Sequence, residues 1–162
     1  MHILFVCMGN ICRSPLAAIE AERALAAAGL SQTISVSSAG TLGFHAGRAA
    51  DPRSIALAAD HGLDLDAHRA RQVHRSDFVQ AELIIAMDRQ NLADLRALAP
   101  VEASGRIRLL LEFAGQRLAE VPDPYQGGRA EFEHSFELIR EGIAGLTKHL
   151  LRLHNAGHRL TE

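Results

Sequence analysis

The sequence has neither many cysteines nor long apolar runs, and it is poor in aromatic residues. It contains no tryptophan, one tyrosine and two cysteines. The cysteines, Cys7 and Cys12, share one short N-terminal segment, whereas a disulfide scaffold would spread more cysteines along the chain. No apolar run approaches the ~20 residues of a membrane span, and the run from Ile3 to Val6 is too short for a signal peptide. We therefore expect a cytoplasmic protein that is not bound to a membrane.

An excess of charge of one sign is also lacking. The net charge is −2, so no strong field favours binding to nucleic acid. The 162 residues, 48% hydrophobic and 22% charged, suffice for one domain with a single core. No linker or internal repeat divides the chain. We predict one domain over residues 1–155, followed by a short polar tail over 156–162.

Buried strands alternate with helix-forming segments along the chain. The apolar runs predict strands at His2–Val6, Thr33–Ser37, Glu82–Met87 and Ile107–Leu111. The intervening and final segments predict helices at Leu16–Ala28, Pro52–Asp60, Arg89–Leu98 and Arg129–Leu153. This alternation is typical of an α/β fold, with a four-stranded parallel sheet between two layers of helices.

The segment after the first strand contains the strongest chemical signal. Ligands of parallel sheets bind at the carboxyl ends of the strands, and Cys7 falls there. Backbone N–H groups before a helix N-terminus form an anion site, and the planar guanidinium of Arg13 matches two phosphate oxygens. A thiolate of Cys7 at the floor of this loop could attack phosphorus. The residues predicted to bind phosphate are Met8, Gly9, Asn10, Ile11, Cys12, Arg13 and Ser14.

Simpler interpretations exist for each of these residues alone. An isolated cysteine is usually a buried apolar residue, and an isolated arginine is usually a surface cation. Here a strand, Cys7, five residues, Arg13, a serine, a proline and a helix coincide. That coincidence favours catalysis by Cys7 and Arg13.

A phenolic leaving group departs more easily when an acid protonates it. Asp123 is the best candidate, because Pro122 and Pro124 restrict the backbone on both sides. Asp-Pro is also a common turn former, so the residues alone leave both interpretations open.

The segment from Cys7 to Pro15 resembles the signature loop of the low-molecular-weight protein tyrosine phosphatases. The resemblance implies that Cys7 is the nucleophile and Arg13 the phosphate-binding arginine. Asp123-Pro124-Tyr125 is similar to the family's acid loop, which favours Asp123 as general acid and base. The function implied is hydrolysis of phosphotyrosine and small aryl phosphates through a cysteinyl-phosphate intermediate. This chemistry needs neither a metal nor another cofactor.

The substrate pocket is predicted to contain Met8, Ile11, Phe44 and Tyr125. Phe44 could be a core residue, but the small and polar residues around it favour exposure. Two aromatic walls would form a slot too deep for phosphoserine. A related group of arginine phosphatases resembles the family but has threonine where this chain has Ile11, so the apolar Ile11 favours a phenyl ring. Eukaryotic relatives often have a second tyrosine where Gln126 follows Tyr125, which puts regulation through that position in doubt.

The resemblance also implies a supporting hydrogen-bond network behind the loop. Its members would be Asn10, Ser14, Ser38 and His68, although His68 by itself is typical of a surface histidine. Cys12 is predicted to capture oxidised Cys7 in a disulfide; the alternative is a small buried side chain.

Three other functions share part of this pattern. An arsenate reductase of one type needs a further cysteine downstream, which the chain lacks. A phosphocysteine carrier needs neither Arg13 nor Asp123, and a non-catalytic phosphate-binding module needs no nucleophile. The expected partner is a phosphotyrosine-containing protein, for example a bacterial tyrosine kinase. The sequence does not determine the oligomeric state.

Overall fold

A four-stranded parallel sheet forms the centre of the protein. The computed structural model describes residues 1–117 and 119–159. The strands are β1 (His2–Cys7), β2 (Ser35–Gly40), β3 (Leu83–Ala86) and β4 (Ile107–Leu109). They are parallel neighbours in the order β2-β1-β3-β4. The predicted parallel sheet is confirmed, and β1 lies inside it rather than at an edge.

Helices cover both faces of the sheet. They are α1 (Arg13–Ala27), α2 (Pro52–Asp60), α3 (Asp77–Gln80), α4 (Arg89–Leu98) and α5 (Arg129–Arg159). Side chains of a strand alternate between faces, so Phe5 joins the core beneath α1 and α5 while Leu4 packs with Leu95 of α4. The predicted three-layer fold is therefore confirmed. None of the helices in the described part of the chain has the length and apolar content needed to cross a bilayer.

Several predicted boundaries were wrong by a few residues. Helix α1 begins at Arg13, ahead of Pro15, and β2 runs over Ser35–Gly40 rather than Thr33–Ser37. The fourth strand ends at Leu109, and the apolar residues after it form a 3₁₀ turn over Leu110–Ala114. An apolar run shows that a segment is buried, but it does not distinguish a strand from the buried turn that follows it.

The C-terminal helix is longer than predicted. Helix α5 continues past Leu153 to Arg159, although Asn155 and Gly157 are exposed. A polar helix end makes few core contacts, so hydrophobic periodicity does not show where it stops. The division into a domain over 1–155 and a tail over 156–162 stays a prediction, and residues 160–162 lie outside the described residues.

Helix α5 packs closely against the 3₁₀ turn that follows β4. A Cβ atom on Gly145 would lie 2.1 Å from the carbonyl oxygen of Phe113, so only a glycine allows this approach. The packing fixes α5 beside the segment that leads from β4 toward Asp123. That segment reaches the carboxyl end of the sheet, where the backbone N–H of Val121 donates to the carbonyl oxygen of Met87, the residue after β3.

Candidate active site

The segment between β1 and α1 forms a loop at the carboxyl end of the sheet. Cys7 is the last residue of β1, and Arg13 is the first residue of α1. The side chain of Cys12, at the N-cap position, makes no capping hydrogen bond. The first N–H groups of α1 are therefore left for another acceptor, and the positive end of the helix favours an anion there.

Cys7 is buried and makes a specific contact with Ser14. Its sulfur lies 3.0 Å from the Ser14 hydroxyl oxygen, and the two residues are 2% and 0% exposed. That hydroxyl accepts a hydrogen bond from the Asn10 amide at 2.9 Å and lies 3.3 Å from the carbonyl oxygen of Ala39. A hydroxyl has one proton to donate. When Cys7 is a thiolate, Ser14 can turn that proton toward the sulfur.

Asn10 shapes the loop through its backbone and its side chain. Its φ of 57° is left-handed, a conformation that asparagine tolerates better than most residues. Its amide nitrogen donates to the hydroxyls of Ser14 and Ser38, both at 2.9 Å. Its amide oxygen accepts from the backbone N–H of Arg71, also at 2.9 Å. A fully buried side chain thus has partners for each of its polar atoms.

His68 completes the group behind the loop. Its Nε2 donates to the carbonyl oxygen of Asn10 at 2.8 Å. Burial, together with the charge of Arg69, lowers the pKa of His68 below that of an ordinary histidine. The structure thus brings together Asn10, Ser14, Ser38 and His68. The backbone of Arg71 is a further member that nothing in the sequence indicates.

Arg13 is buried and held by a carboxylate that the sequence analysis missed. Its Nη1 donates to Asp88 Oδ2 at 2.6 Å and to the carbonyl oxygen of Val121 at 3.0 Å. Asp88 also caps α4, where Oδ1 accepts from the N–H of Asn91 at 2.7 Å. Burial alone would lower the pKa of Arg13, but the negative charges of Cys7, Asp88 and Asp123 outweigh burial and raise it. Arg13 is a permanent cation with its side chain fixed in place.

A signal for Asp88 does exist in the sequence. The residue lies two positions after the end of β3, at the same sheet end as Cys7, and immediately precedes the helix that it caps. An aspartate in that position is explained by capping alone, so the pattern gave no reason to connect it with Arg13.

Asp123 lies beside the same arginine. Its Oδ2 is 3.4 Å from Arg13 Nη2, and its Oδ1 accepts from the N–H of Tyr125 at 3.2 Å. Ser135 of α5 fixes the preceding residue, because its hydroxyl donates to the carbonyl oxygen of Pro122 at 2.7 Å. About a third of the Asp123 side chain is exposed. It can therefore meet both a substrate and water.

A narrow cavity joins these groups. Its walls are formed by Cys7, Met8, Gly9, Ile11, Cys12, Arg13, His45, Asp123 and Tyr125. The nucleophile, the arginine and the carboxylate predicted from the sequence thus line one space. Of the four predicted pocket residues, Met8, Ile11 and Tyr125 line it.

Phe44 is exposed, as predicted, but its neighbour His45 is the residue of this loop that lines the cavity. Phe44 is 83% exposed and stands outside the cavity, with its ring edge-on to His45 at 5.2 Å between centroids. His45 forms the wall instead, at 6.5 Å from the Tyr125 ring. A Cβ atom on Gly9 would lie 2.9 Å from the His45 ring, so that glycine lets the ring pack on the loop. Two neighbouring residues of one loop gave no sequence signal to show which would turn inward.

Cys12 has a chemical environment unlike that of a reactive thiol. Burial, followed by the negative charges of Asp51, Cys7 and Asp123, raises the pKa of Cys12 to about 12. Both cysteines are free thiols in this structure. Cys12 is thus neutral while it lines the cavity.

The arrangement defines a class of enzyme. A cysteine at the end of a central parallel strand, an anion-binding helix N-terminus, a buried arginine and a carboxylate around one cavity are the parts of a cysteine-dependent phosphatase.

Comparisons with known proteins identify the family. Residues 2–155 match the family model described as low molecular weight phosphotyrosine protein phosphatase. A low molecular weight protein-tyrosine-phosphatase of Streptomyces coelicolor is 45% identical over 150 residues, which cover 90% of each chain. Low molecular weight protein-tyrosine phosphatase A of Mycobacterium tuberculosis is 40% identical over 149 residues, covering 90% of this chain and 89% of the relative.

Solved structures agree. A protein tyrosine phosphatase of Entamoeba histolytica superposes with a TM-score of 0.88 at 32% identity, covering 97% of this chain and 99% of the other. The chain therefore belongs to the low molecular weight protein tyrosine phosphatase family, and it is a hydrolase.

Proposed function

We propose that this phosphatase hydrolyses phosphotyrosine in proteins, and small aryl phosphates, with Cys7 as nucleophile, Arg13 as phosphate clamp and Asp123 as general acid and base. The observation that carries these roles is their meeting in one cavity. Cys7, Arg13 and Asp123 come from the end of β1, the start of α1 and the segment before α5, yet all three line it.

The first step transfers the phosphoryl group to the protein. The Cys7 thiolate attacks phosphorus, and the bond from phosphorus to the phenolic oxygen breaks. Asp123 gives its proton to that oxygen, so that a neutral phenol leaves. Arg13 and the N–H groups at the start of α1 stabilise the charge on the phosphoryl oxygens.

The second step returns the enzyme to its starting state. Asp123, now a carboxylate, takes a proton from water, and the water oxygen attacks phosphorus. The bond from phosphorus to sulfur breaks and inorganic phosphate leaves. A hydrogen bond from Ser14 stabilises the departing thiolate, which the 3.0 Å contact allows.

The phenyl ring is proposed to lie between Ile11 and Tyr125, with Met8 beside it and Phe44 at the rim. Ile11 offers an apolar surface that suits a phenyl ring and leaves the polar guanidinium of a phosphoarginine without a partner. Met8, Phe44 and Tyr125 are exposed enough to meet a protein substrate. The partner is a phosphotyrosine-containing protein, such as a bacterial tyrosine kinase.

We place this activity in the cytoplasm, because a thiolate nucleophile with a second thiol beside it stays reduced in a reducing compartment. Cys12 is proposed to protect that nucleophile. When peroxide oxidises Cys7 to a sulfenic acid, the Cys12 sulfur attacks it, water leaves and a disulfide forms. Oxidation also removes the Cys7 charge that helps to raise the pKa of Cys12. If Cys12→Ser recovers from peroxide under thiol reductants as fully as the wild type does, this role is excluded.

Hydrolysis of a phosphotyrosine peptide tests the main proposal. We expect Cys7→Ser to abolish turnover. Asp123→Ala should lose about 10²- to 10⁴-fold in kcat/KM with phenyl phosphate, the usual contribution of a general acid, and far less with 2,4-dinitrophenyl phosphate. Turnover by Cys7→Ser would reject the nucleophile. Equal losses on both substrates would remove Asp123 from the acid role.

A further inference from the structure

The segment that carries Asp123 is attached to the rest of the protein on both sides. On the upstream side the backbone N–H of Val121 donates to Met87 at 2.9 Å, and Ser135 holds the carbonyl group of Pro122. On the downstream side the attachment comes from Arg53 of α2. Its Nη1 donates to the carbonyl oxygens of Tyr125 and Gly127, at 3.1 and 3.0 Å.

The same guanidinium binds the start of α2. Its Nε and Nη2 donate to the two carboxylate oxygens of Asp51, at 2.9 and 2.8 Å. Asp51 is the N-cap of α2, and its own backbone N–H donates to the carbonyl oxygen of Ile11 at 2.8 Å. Ile11 belongs to the phosphate loop, the segment from Cys7 to Ser14. Arg53 thus connects the acid segment, from Val121 to Gly127, to the phosphate loop through one intervening residue, Asp51.

Ring contacts strengthen the attachment. The Arg53 guanidinium carbon lies 4.4 Å from the centre of the Phe132 ring in α5 and 5.6 Å from that of Tyr125. Four hydrogen bonds and two rings hold a planar group that a lysine could not replace. Asp51 is buried at 8% exposure, so its charge needs this partner.

We propose that Arg53 is a positioning residue for catalysis. It holds the downstream half of the acid segment against the phosphate loop and so fixes the place of Asp123 when the leaving group departs. The inference rests on the proposed function, in which Asp123 protonates that group. It predicts that loss of Arg53 harms the proton transfer more than it harms phosphate binding.

The experiment compares Arg53→Met with the wild type on two substrates. We expect kcat/KM to fall about 10- to 100-fold with phenyl phosphate, since displacement of a catalytic group by about 1 Å costs up to roughly 10²-fold. With 2,4-dinitrophenyl phosphate, whose leaving group needs no proton, we expect less than about a 3-fold loss. The ratio of the two values is unaffected by an unfolded fraction, because both come from the same enzyme sample.

Arg129→Met is the matched control. Arg129 also connects α2 with α5, because its guanidinium donates to the carboxylates of Asp60 and Glu133. Neither of these two hydrogen bonds involves a residue from Pro122 to Gly127. We expect this variant to keep the wild-type ratio. Arg53→Lys keeps the charge without the planar fork, so it should show a smaller loss in the same direction, and it decides the question if Arg53→Met does not fold.

The outcomes separate the two proposals. If the wild type hydrolyses neither substrate, or Cys7→Ser hydrolyses both, the proposed function fails. If the wild type and Cys7→Ser behave as expected but the Arg53 variants lose equally on both substrates, or match Arg129→Met, Arg53 has a structural role and the positioning inference is overturned.

Discussion

Removal of the Asp88 carboxylate should destabilise the fold and the site together. The Arg13 side chain is 3% exposed and that of Asp88 20%, so water cannot fully replace the lost partner. A hydrogen bond to a charged group contributes about 1.5–3 kcal/mol, and an N-cap about 1 kcal/mol. Asp88→Ala loses both, so we expect the free energy of unfolding to fall by about 2.5–4 kcal/mol.

Asp88→Asn separates the two contributions. Its oxygen can still cap α4, but its NH₂ group then faces the Arg13 donor, so we expect a loss of about 2 kcal/mol. Urea denaturation should show this as a midpoint lower by about 1 M, with a slope near 2 kcal/mol per M. We also expect kcat/KM to fall about tenfold or more, because Arg13 loses the contact that orients it.

Glu120→Gln is the control for a nearby exposed ion pair. Arg89, the residue after Asp88, donates to the Glu120 carboxylate from both its backbone N–H and its side chain. The side chain of Glu120 is 37% exposed. Such pairs contribute about 0–1 kcal/mol. If Asp88→Asn is no more destabilising than Glu120→Gln, the claim that Asp88 supports a buried Arg13 is refuted.

Three further predictions concern single residues. With a pKa of about 12, Cys12 is a thiolate in roughly one molecule in 10⁵ at pH 7. Cys7→Ser lacks the Cys7 charge, but burial, which is the largest cause, and the charges of Asp51 and Asp123 still raise the pKa of Cys12 there. In that variant iodoacetamide should therefore label native Cys12 at least about 100-fold more slowly than the urea-unfolded protein; similar rates would contradict this. Gly145→Ala should destabilise α5 by about 1–3 kcal/mol in urea denaturation, whereas Gly157→Ala, in open space on the same helix, should stabilise it by up to about 1 kcal/mol; equal effects would contradict the close contact. Burial acts to raise the pKa of Asp77, at the start of α3. Hydrogen bonds from the guanidinium of Arg71 and the backbone N–H of His74 nevertheless hold that pKa below the ordinary value. Its stabilisation is thus complete above about pH 5 and lost as the pH falls through the lowered value, so unfolding of Asp77→Asn should depend less on pH below 5; an unchanged acid profile would exclude this contribution.

Much of the fold could be predicted because its signals are local. A buried strand such as β1 is a short apolar run, and most of α1 consists of strong helix formers, although the helix begins before them at Arg13. The alternation of strands and helices then restricts the sheet to a parallel one. Boundaries were less predictable: α5 extends past Leu153 through the exposed Asn155 and Gly157, so hydrophobic periodicity contains no signal for its end.

The phosphate loop was the most predictable part of the site. Cys7, Asn10, Arg13 and Ser14 lie within eight residues, and a strand and a helix fix the ends of that segment. The placement of these four residues along one loop is therefore local, although distant partners complete the orientation of Asn10 and Arg13. The sequence by itself was therefore enough to predict Cys7 as the nucleophile, Arg13 as the phosphate clamp and the class of chemistry.

The tertiary structure decided which distant groups support that chemistry. Asp88 meets Arg13 across 75 positions of sequence, and Arg53 reaches Tyr125 across 72. His45 rather than Phe44 became the pocket wall. Such contacts depend on the order and register of the parallel strands, which bring separate segments to one sheet end. A carboxylate that caps a helix, or an arginine in its first turn, has the same local pattern whether or not the fold places it beside a catalytic group.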